Sequence, residues 1–403
     1  MKYLPLLIIA FLSLTSCDKS PIEQIKAVTE DKYPVANMPD EPLDKPLEIL
    51  REPKRLAMTT TWSAGVKDDG TLWTWGTDSL LRPAQTGQDP TPRPVEGIHD
   101  AVAVSGGGGH MLLLRKDGTV WGWGSNHDGE IDPSDKDTSI DELRQIKGID
   151  NVVDIVAGTG ASIFLTKTGE VYYQGKNEWH ILKNTDEKII SKPTKIGGLE
   201  NIEKFDGNSG YILAINNQGK LLTTHCIGDA KVVSISQQNT ICNIEFDKKV
   251  ADVAQGIASF ALLEDGSVWS WGETRGYAAQ GNTSTRLDNP KKVPNLSKVI
   301  NISDFSANTS NGNVYIWGHY LIGESPEPSE SSMKIIASPI LIMKNTRVSF
   351  FLRNSYISAF INHKGEVWFW EGNRMGQRGT NAVIKTFHKD FVFTPEKSLF
   401  ALN

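Results

Sequence analysis

An all-β, seven-bladed propeller is the fold class predicted by this chain of 403 residues, and three observations predict it. A turn glycine recurs seven times, at Gly70, Gly118, Gly169, Gly219, Gly266, Gly312 and Gly365, with spacings of 48, 51, 50, 47, 46 and 53 residues. Apolar runs such as Met111-Leu112-Leu113-Leu114 and Phe260-Ala261-Leu262-Leu263 precede it. An aromatic-x-aromatic-Gly run follows it in most copies. Seven copies at this period, each long enough for several short strands, point to a radial array of four-stranded blades.

Each element has a physical reason. Lys67-Asp68-Asp69-Gly70-Thr71-Leu72-Trp73-Thr74-Trp75-Gly76 returns as Arg115-Lys116-Asp117-Gly118-Thr119-Val120-Trp121-Gly122-Trp123-Gly124 and again as Glu264-Asp265-Gly266-Ser267-Val268-Trp269-Ser270-Trp271-Gly272. Asp-Gly is a strong hairpin signal, because a type I′ turn needs positive φ at both central residues. The apolar runs read as strands buried on both faces between adjacent blades. The two aromatics lie two residues apart, hence on one face of a strand, where they fill the space between neighbours. Weaker copies surround Gly169, Gly312 and Gly365, and the faintest has only Gln218-Gly219-Lys220-Leu221-Leu222.

These residues resemble the regulator-of-chromosome-condensation repeat family. The resemblance runs from about Arg55 to the C-terminus and includes Gly124-Ser125-Asn126 with Gly129, Gly372-Asn373-Arg374-Met375-Gly376-Gln377, Pro94-Val95, and Pro290-Lys291-Lys292-Val293. It implies a seven-bladed propeller. Similar proteins include nucleotide-exchange factors for small GTPases and a secreted inhibitor of β-lactamases, which present one face to a protein. The chain also departs from the family pattern. Only His110 keeps the histidine that the family places before the turn, and Trp62, Ala161, Tyr211, Ala258 and Asp304 stand at the equivalent positions. Repeat four has Thr223-Thr224-His225-Cys226 in place of the aromatic run, which makes its blade the least regular.

The N-terminal end decides the compartment. Lys2 is followed by an apolar run, Tyr3 to Leu14, too short for a permanent span of about 20 residues and of signal-peptide length. It ends in Leu14-Thr15-Ser16-Cys17, which resembles the lipobox of bacterial lipoproteins and implies acylation of Cys17. An ordinary signal peptide with a chance cysteine is the plainer alternative. Asp18 to about Pro53 carries six prolines among charged residues and reads as an extended tether. The domains are therefore 1–16 signal peptide, 17–53 lipid-anchored Pro-rich linker and 54–403 propeller. The predicted location is the bacterial cell envelope, membrane-anchored through lipid and facing the periplasm or the surface.

The full chain is 39% hydrophobic and 22% charged, with a formal charge of -6 and no basic patch, which argues against nucleic acid as a partner. Gly106 to Gly109 lacks the Lys-Ser/Thr of a phosphate loop and reads as the glycine position of the repeat. Asp128, Glu130, Asp132, Asp135, Asp137, Asp141 and Glu142 form an acidic loop. No register in it meets the ligand offsets of a calcium loop, so it reads as a solvated connection. Neither zinc spacing nor a Gly-x-Ser-x-Gly elbow is present, so no cofactor, no metal and no catalytic residue is expected. A triad assembled only in space remains the open route to catalysis. Trp62, Trp179, Tyr277 and Tyr320 fall outside the repeat rule and are the candidates for contact with a ligand, with core packing as the plainer reading.

Four expectations complete the reading. Cys226 and Cys242 are the thiols left once Cys17 is acylated, and an oxidising compartment favours a disulfide between them. The alternative is two separate buried thiols. Closing a loop of about 15 residues stabilises by roughly 3 kcal/mol in the chain-entropy model. The tail Phe391-Val392-Phe393-Thr394-Pro395 is expected to complete the blade begun by Arg55 to Gly76. Asp128 to Arg144, Asn177 to Lys192, Thr274 to Asp288 and His319 to Lys334 each follow the aromatic strand, so they should lie on one side of the ring. The expected function is a monomeric, non-enzymatic protein–protein interaction platform with a protein partner in the envelope. A glycan or cell-wall binding module is the alternative.

Overall fold

The structure is a computed structural model that describes residues 54–59, 61–77, 81, 88–182, 185–235, 240–273, 276–281, 286–321, 333–344, 348–353, 357–362, 364–371 and 396–403. Among these, every regular element is a strand, and the strands form seven sheets. Blade 1 holds β1 (Leu56–Met58), β2 (Trp62–Val66), β3 (Leu72–Thr77) and β4 (Gln88–Pro94). Blade 2 holds β5 (Ala101–Gly106), β6 (His110–Arg115), β7 (Val120–Ser125) and β8 (Ser139–Gln145). Blade 3 holds β9 (Val152–Ala157), β10 (Ala161–Thr166), β11 (Val171–Lys176) and β12 (Ile189–Lys195). Blade 4 is five-stranded: β13 (Ile202–Gly207), β14 (Ile212–Asn216), β15 (Leu221–Thr223), β16 (Lys231–Ile235) and β17 (Thr240–Ile244), with β17 between β15 and β16. Blade 5 holds β18 (Val250–Gln255), β19 (Ala258–Leu263), β20 (Val268–Gly272) and β21 (Leu287–Lys292). Blade 6 holds β22 (Val299–Ile302), β23 (Ser306–Thr309), β24 (Val314–Leu321) and β25 (Met333–Met343). Blade 7 holds β26 (Val348–Arg353), β27 (Ile357–Asn362), β28 (Glu366–Glu371) and β29 (Glu396–Ala401).

The repeat maps onto the second and third strands. Met111, Leu112 and Leu113 are fully buried, as are Phe260, Ala261 and Leu262. The second aromatic of the repeat, at Trp75, Trp123, Trp271 and Trp317, is at most 3% exposed, and Gln174 holds the matching buried position in blade 3, whereas the first aromatic stays half-buried. The turn differs from the type I′ expectation. Gly118 takes φ 81°, and Asp117 is not in the left-handed region. Gly118 N–H donates to Arg115 O at 2.9 Å, so the loop is an ordinary turn that ends on a left-handed glycine. Asp117 accepts from the Thr119 amide (3.0 Å) and hydroxyl (2.7 Å), which is why aspartate stands there and why its carboxyl is held below the usual range. Gly118 O in turn accepts Val152 N–H at 3.0 Å, the first residue of the next blade, and a Cβ here would press on Asn151 Cα at 3.0 Å.

Ring closure differs from the expectation. Blade 1 already has four strands of its own, so the tail has no vacancy there. Instead β29 pairs antiparallel with β28 and completes blade 7. Residues 391–395 lie outside the described residues. The seam between blades 7 and 1 is made by packed side chains and by a backbone hydrogen bond. Phe400 stacks on Trp75 with centroids 5.0 Å apart, and Leu402 and Phe369 join Leu56 and Met58 in one buried cluster. Leu402 N–H donates to Gly365 O at 2.9 Å, and Leu402 O accepts Asp68 N–H at 2.8 Å.

Candidate binding face

Antiparallel order gives the ring two unlike faces. The Asp-Gly turns and the crossings to the next blade share one, the hairpin face. The connections from first to second and from third to fourth strand share the other, the loop face. The loops 126–138, 177–188 and 273–286 therefore do lie on one side, within their described residues. The loop after β24 falls largely outside them.

On the loop face, blade 4 breaks the repeat at one position. Blades 1, 2, 3, 5 and 6 carry Gly76, Gly124, Gly175, Gly272 and Gly318 late in the third strand, all with φ between 94° and 107°. Blade 4 has His225. Its ring meets the Tyr211 ring edge-on, with centroids 4.5 Å apart. Trp179, from the loop of blade 3, lies 6.4 Å from Tyr211 and is 62% exposed. A Cβ on Gly210 would stand 3.2 Å from the Trp179 ring, so glycine lets the indole rest on the backbone and leaves its other face open. Arg286 Nη2 lies 3.4 Å from His225 Nε2. Asn208 holds the turn beneath: its Oδ1 accepts the Gly210 and Tyr211 amides at 2.8 and 3.0 Å, and its Nδ2 donates to Gly256 O at 3.3 Å. Ile257, next along, is 49% exposed. Trp179, Tyr211, His225 and Arg286 thus form a continuous strip across blades 3 to 5.

Cys226 follows His225, and the structure joins it to Cys242 with Cα atoms 5.3 Å apart. The other candidates fare differently. Trp62 is 8% exposed and belongs to the core between blades 1 and 2. Tyr277 packs against Phe305, with centroids 6.1 Å apart. Nothing is described of the Tyr320 side chain, and Cys17 lies outside the described residues. In the acidic loop, Arg144 bonds Asp132 (3.2 Å), Asp135 (3.0 Å) and Glu142 (2.9 Å), so these carboxylates already share a cation of the chain itself. Asn126 knits this loop by accepting the Ile131 and Asp132 amides, and Asn177 does the same for blade 3.

A histidine–serine contact does assemble in space. His110 Nε2 lies 3.0 Å from Ser162 Oγ, between blades 2 and 3. Both residues are wholly buried, and Ser162 donates its proton to Glu130 O at 2.7 Å. Burial pushes His110 down to about 4, so it is neutral at pH 7. The pair bridges two blades and offers substrate no approach.

The central channel carries a second cluster. A cavity of about 1350 Å³ is lined by the innermost strands. Lys54, just before β1, reaches from blade 1 to blade 3: its Nζ lies 3.3 Å from Asp154 and donates to Ile155 O at 3.2 Å. Lys204 pairs with Asp252 at 2.9 Å. Asp206 Oδ2 accepts Gln255 N–H at 2.8 Å. Burial opposes the charge on Lys54, but Asp154, Asp206 and Asp252 together outweigh it and raise its pKa. Burial also pushes Asp206 up to about 6, with Lys54 and backbone N–H groups pulling the other way.

Sequence reasoning marked Trp179 and the irregularity of repeat four but not Tyr211, His225 and Arg286 as a unit, nor the Lys54 cluster. The usable signal was His225 in place of a left-handed glycine.

With this geometry in place, the comparisons with known proteins bear on the repeat and the fold. Residues 101–130 match the family described as regulator of chromosome condensation (RCC1) repeat. Over 364 residues the chain is 27% identical to the E3 ubiquitin-protein ligase HERC2 of Mus musculus, covering 84% of this chain and 6% of that protein. It therefore spans a small part of the ligase. It is 23% identical over 360 residues to the RCC1-like G exchanging factor-like protein of Mus musculus, covering 82% and 67% of the two chains. Among solved structures, human WBSCR16 superposes with a TM-score of 0.65 at 19% identity, over 84% of this chain and 94% of that one. A chain of the complex of Kap60 bound to yeast RCC1 (Prp20) gives 0.59 at 18% identity, over 73% and 77%. These likenesses show a seven-bladed all-β propeller fold with an RCC1 repeat match at residues 101–130.

Proposed function

We propose that this protein is a non-catalytic platform that binds a protein partner through its loop face, held at a bacterial envelope membrane by lipid on Cys17. The observation that carries the reading is the Trp179–Tyr211–His225–Arg286 strip. Tryptophan, tyrosine and arginine are the residue types that dominate binding energy at protein interfaces, and here they stand together where the scaffold has no use for them. Seven blades give a rigid base on which a contiguous surface of the usual ~800 Å² per partner fits. Yeast RCC1, a propeller of the same type, is solved bound to the protein Kap60.

The test is affinity capture from native envelope with the intact lipoprotein as bait, comparing the parent with Trp179→Ala and Arg286→Ala. Each variant is expected to lose the partner while unfolding at the same urea concentration. Undiminished capture by both variants would remove the strip from the interface. Retention on polysaccharide, lost with Trp179→Ala, would favour the glycan reading instead, and turnover of any substrate would end the non-catalytic one. Replacing Cys17 with Ala is expected to release an unprocessed or soluble form.

A further inference from the structure

We infer that the Cys226–Cys242 bond is a redox-sensitive clasp that sets the Tyr211–His225–Arg286 part of the strip, an inference that rests on reading the strip as the binding surface. β15 is three residues long, and its last residue, Thr223, stands opposite Cys242 in the register. Thr224 still exchanges bonds with Ile212, its amide donating to Ile212 O at 3.2 Å and its Oγ1 accepting Ile212 N–H at 3.1 Å. His225 follows where the ladder ends. The other blades with glycine at this point have no ring to hold there. Blade 4 has one, and the residue beside it is bonded to the neighbouring strand β17.

The two cysteines are unequally accessible. Cys226 is exposed and Cys242 is fully buried. An external dithiol therefore meets the bond from the Cys226 side. Its thiolate attacks Cys226 Sγ, the S–S bond breaks, and Cys242 leaves as a thiolate that takes up a proton. The second thiolate of the reductant then attacks the reductant's own sulfur in the resulting mixed disulfide, and Cys226 leaves as a thiolate that is protonated in turn. Two electrons and two protons pass to the protein, and the reductant becomes a cyclic disulfide. Once the bond is open, the Asp229–Asn289 contacts to blade 5, 2.9 and 3.0 Å long, still hold the far end of the loop. The end that carries His225 has lost its covalent tie, and the strip is broken in its middle.

The experiment is proton NMR with hydrogen exchange on the propeller as isolated, after dithiothreitol, and on Cys226→Ser/Cys242→Ser, with the His225 resonance assigned through His225→Gln. In the oxidised protein the Tyr211 ring is expected to shift the His225 ring protons away from their free positions. Reduction and the double variant should both erase that shift and speed exchange of the amides around His225 by roughly tenfold or more, with Met111–Leu114 unchanged. A shift that survives reduction, two free thiols in the isolated protein, or a collapse of protection throughout the ring would each overturn the inference. The readout needs no partner, so loss of the strip's binding role in the capture experiment leaves this result to stand or fall separately.

Discussion

Blade 2 and blade 4 follow one plan and part company at two aligned positions. Where blade 2 has Trp123 and Gly124, blade 4 has Thr224 and His225. Trp123 is wholly buried, and Gly124, at φ 102°, leaves no room for a Cβ, which would stand 2.6 Å from Gly109 O. In blade 4 the smaller Thr224 bonds its own blade, and the next residue turns an aromatic ring to the surface. An added strand, β16, and a cystine occupy the outer part of that blade. The same position in the repeat is thus scaffold in one blade and surface in the other. A repeat protein gains a site by giving up a packing residue, and the gap is made good locally.

Three experiments press on this comparison. The largest effect is expected from Trp123→Ala, which empties a fully buried site and should destabilise the ring by about 3–5 kcal/mol. Thr224→Ala, at the matching position, removes one hydrogen bond and should cost about 1 kcal/mol. Urea titration compares them, and equal costs would show that blade 4 carries the same packing load as blade 2.

The next concerns pH. Asp206, in blade 4, has its pKa raised from an ordinary 3.8 to about 6 in the fold. Between those values the folded chain keeps a proton that the unfolded chain has released, so Asp206 makes the protein more stable as pH falls from 7 to 4. His110, in blade 2, has its pKa lowered from an ordinary 6.5 to about 4, so the unfolded chain takes the proton first and stability falls over the same interval. Asp206→Asn should remove the first slope and His110→Gln the second, each by roughly 1–3 kcal/mol once channel water and local relaxation are allowed for. Stability measured at pH 7 and pH 4.5 reads both. Parallel changes in the two variants would contradict the opposed signs. The smallest effect is expected from Trp179→Ala, whose exposed ring should shift stability by no more than about 0.5 kcal/mol.

How much of this was legible in the sequence follows from how the information is stored. Copy number, strand order and the buried runs repeat, so Met111–Leu114 could be checked against Phe260–Leu263. The turn was misread because Asp-Gly serves two turn types, and φ at Asp117 is decided by the Asp117–Thr119 bonds that follow. Closure was misread because a fourth strand for blade 1 lay in a stretch with weak pattern, Gln88–Pro94. The strip could not be assembled in advance. Trp179, Tyr211, His225 and Arg286 come from different loops, and only the ring brings them into one line. The Lys54 cluster has the same origin, since its members belong to blades 1, 3, 4 and 5.

The way the tail finishes its own blade has a further consequence. Among the described residues no strand is shared between the first blade and the last, and Leu402 gives Gly365 the same N–H contact that Val152 gives Gly118. The joint without a peptide link is built like the linked joint between blades 2 and 3. Where the polypeptide starts is therefore a matter of genetic address more than of architecture. A gene recut at another blade boundary, with the old ends joined, should yield the same wheel with its break moved round the rim.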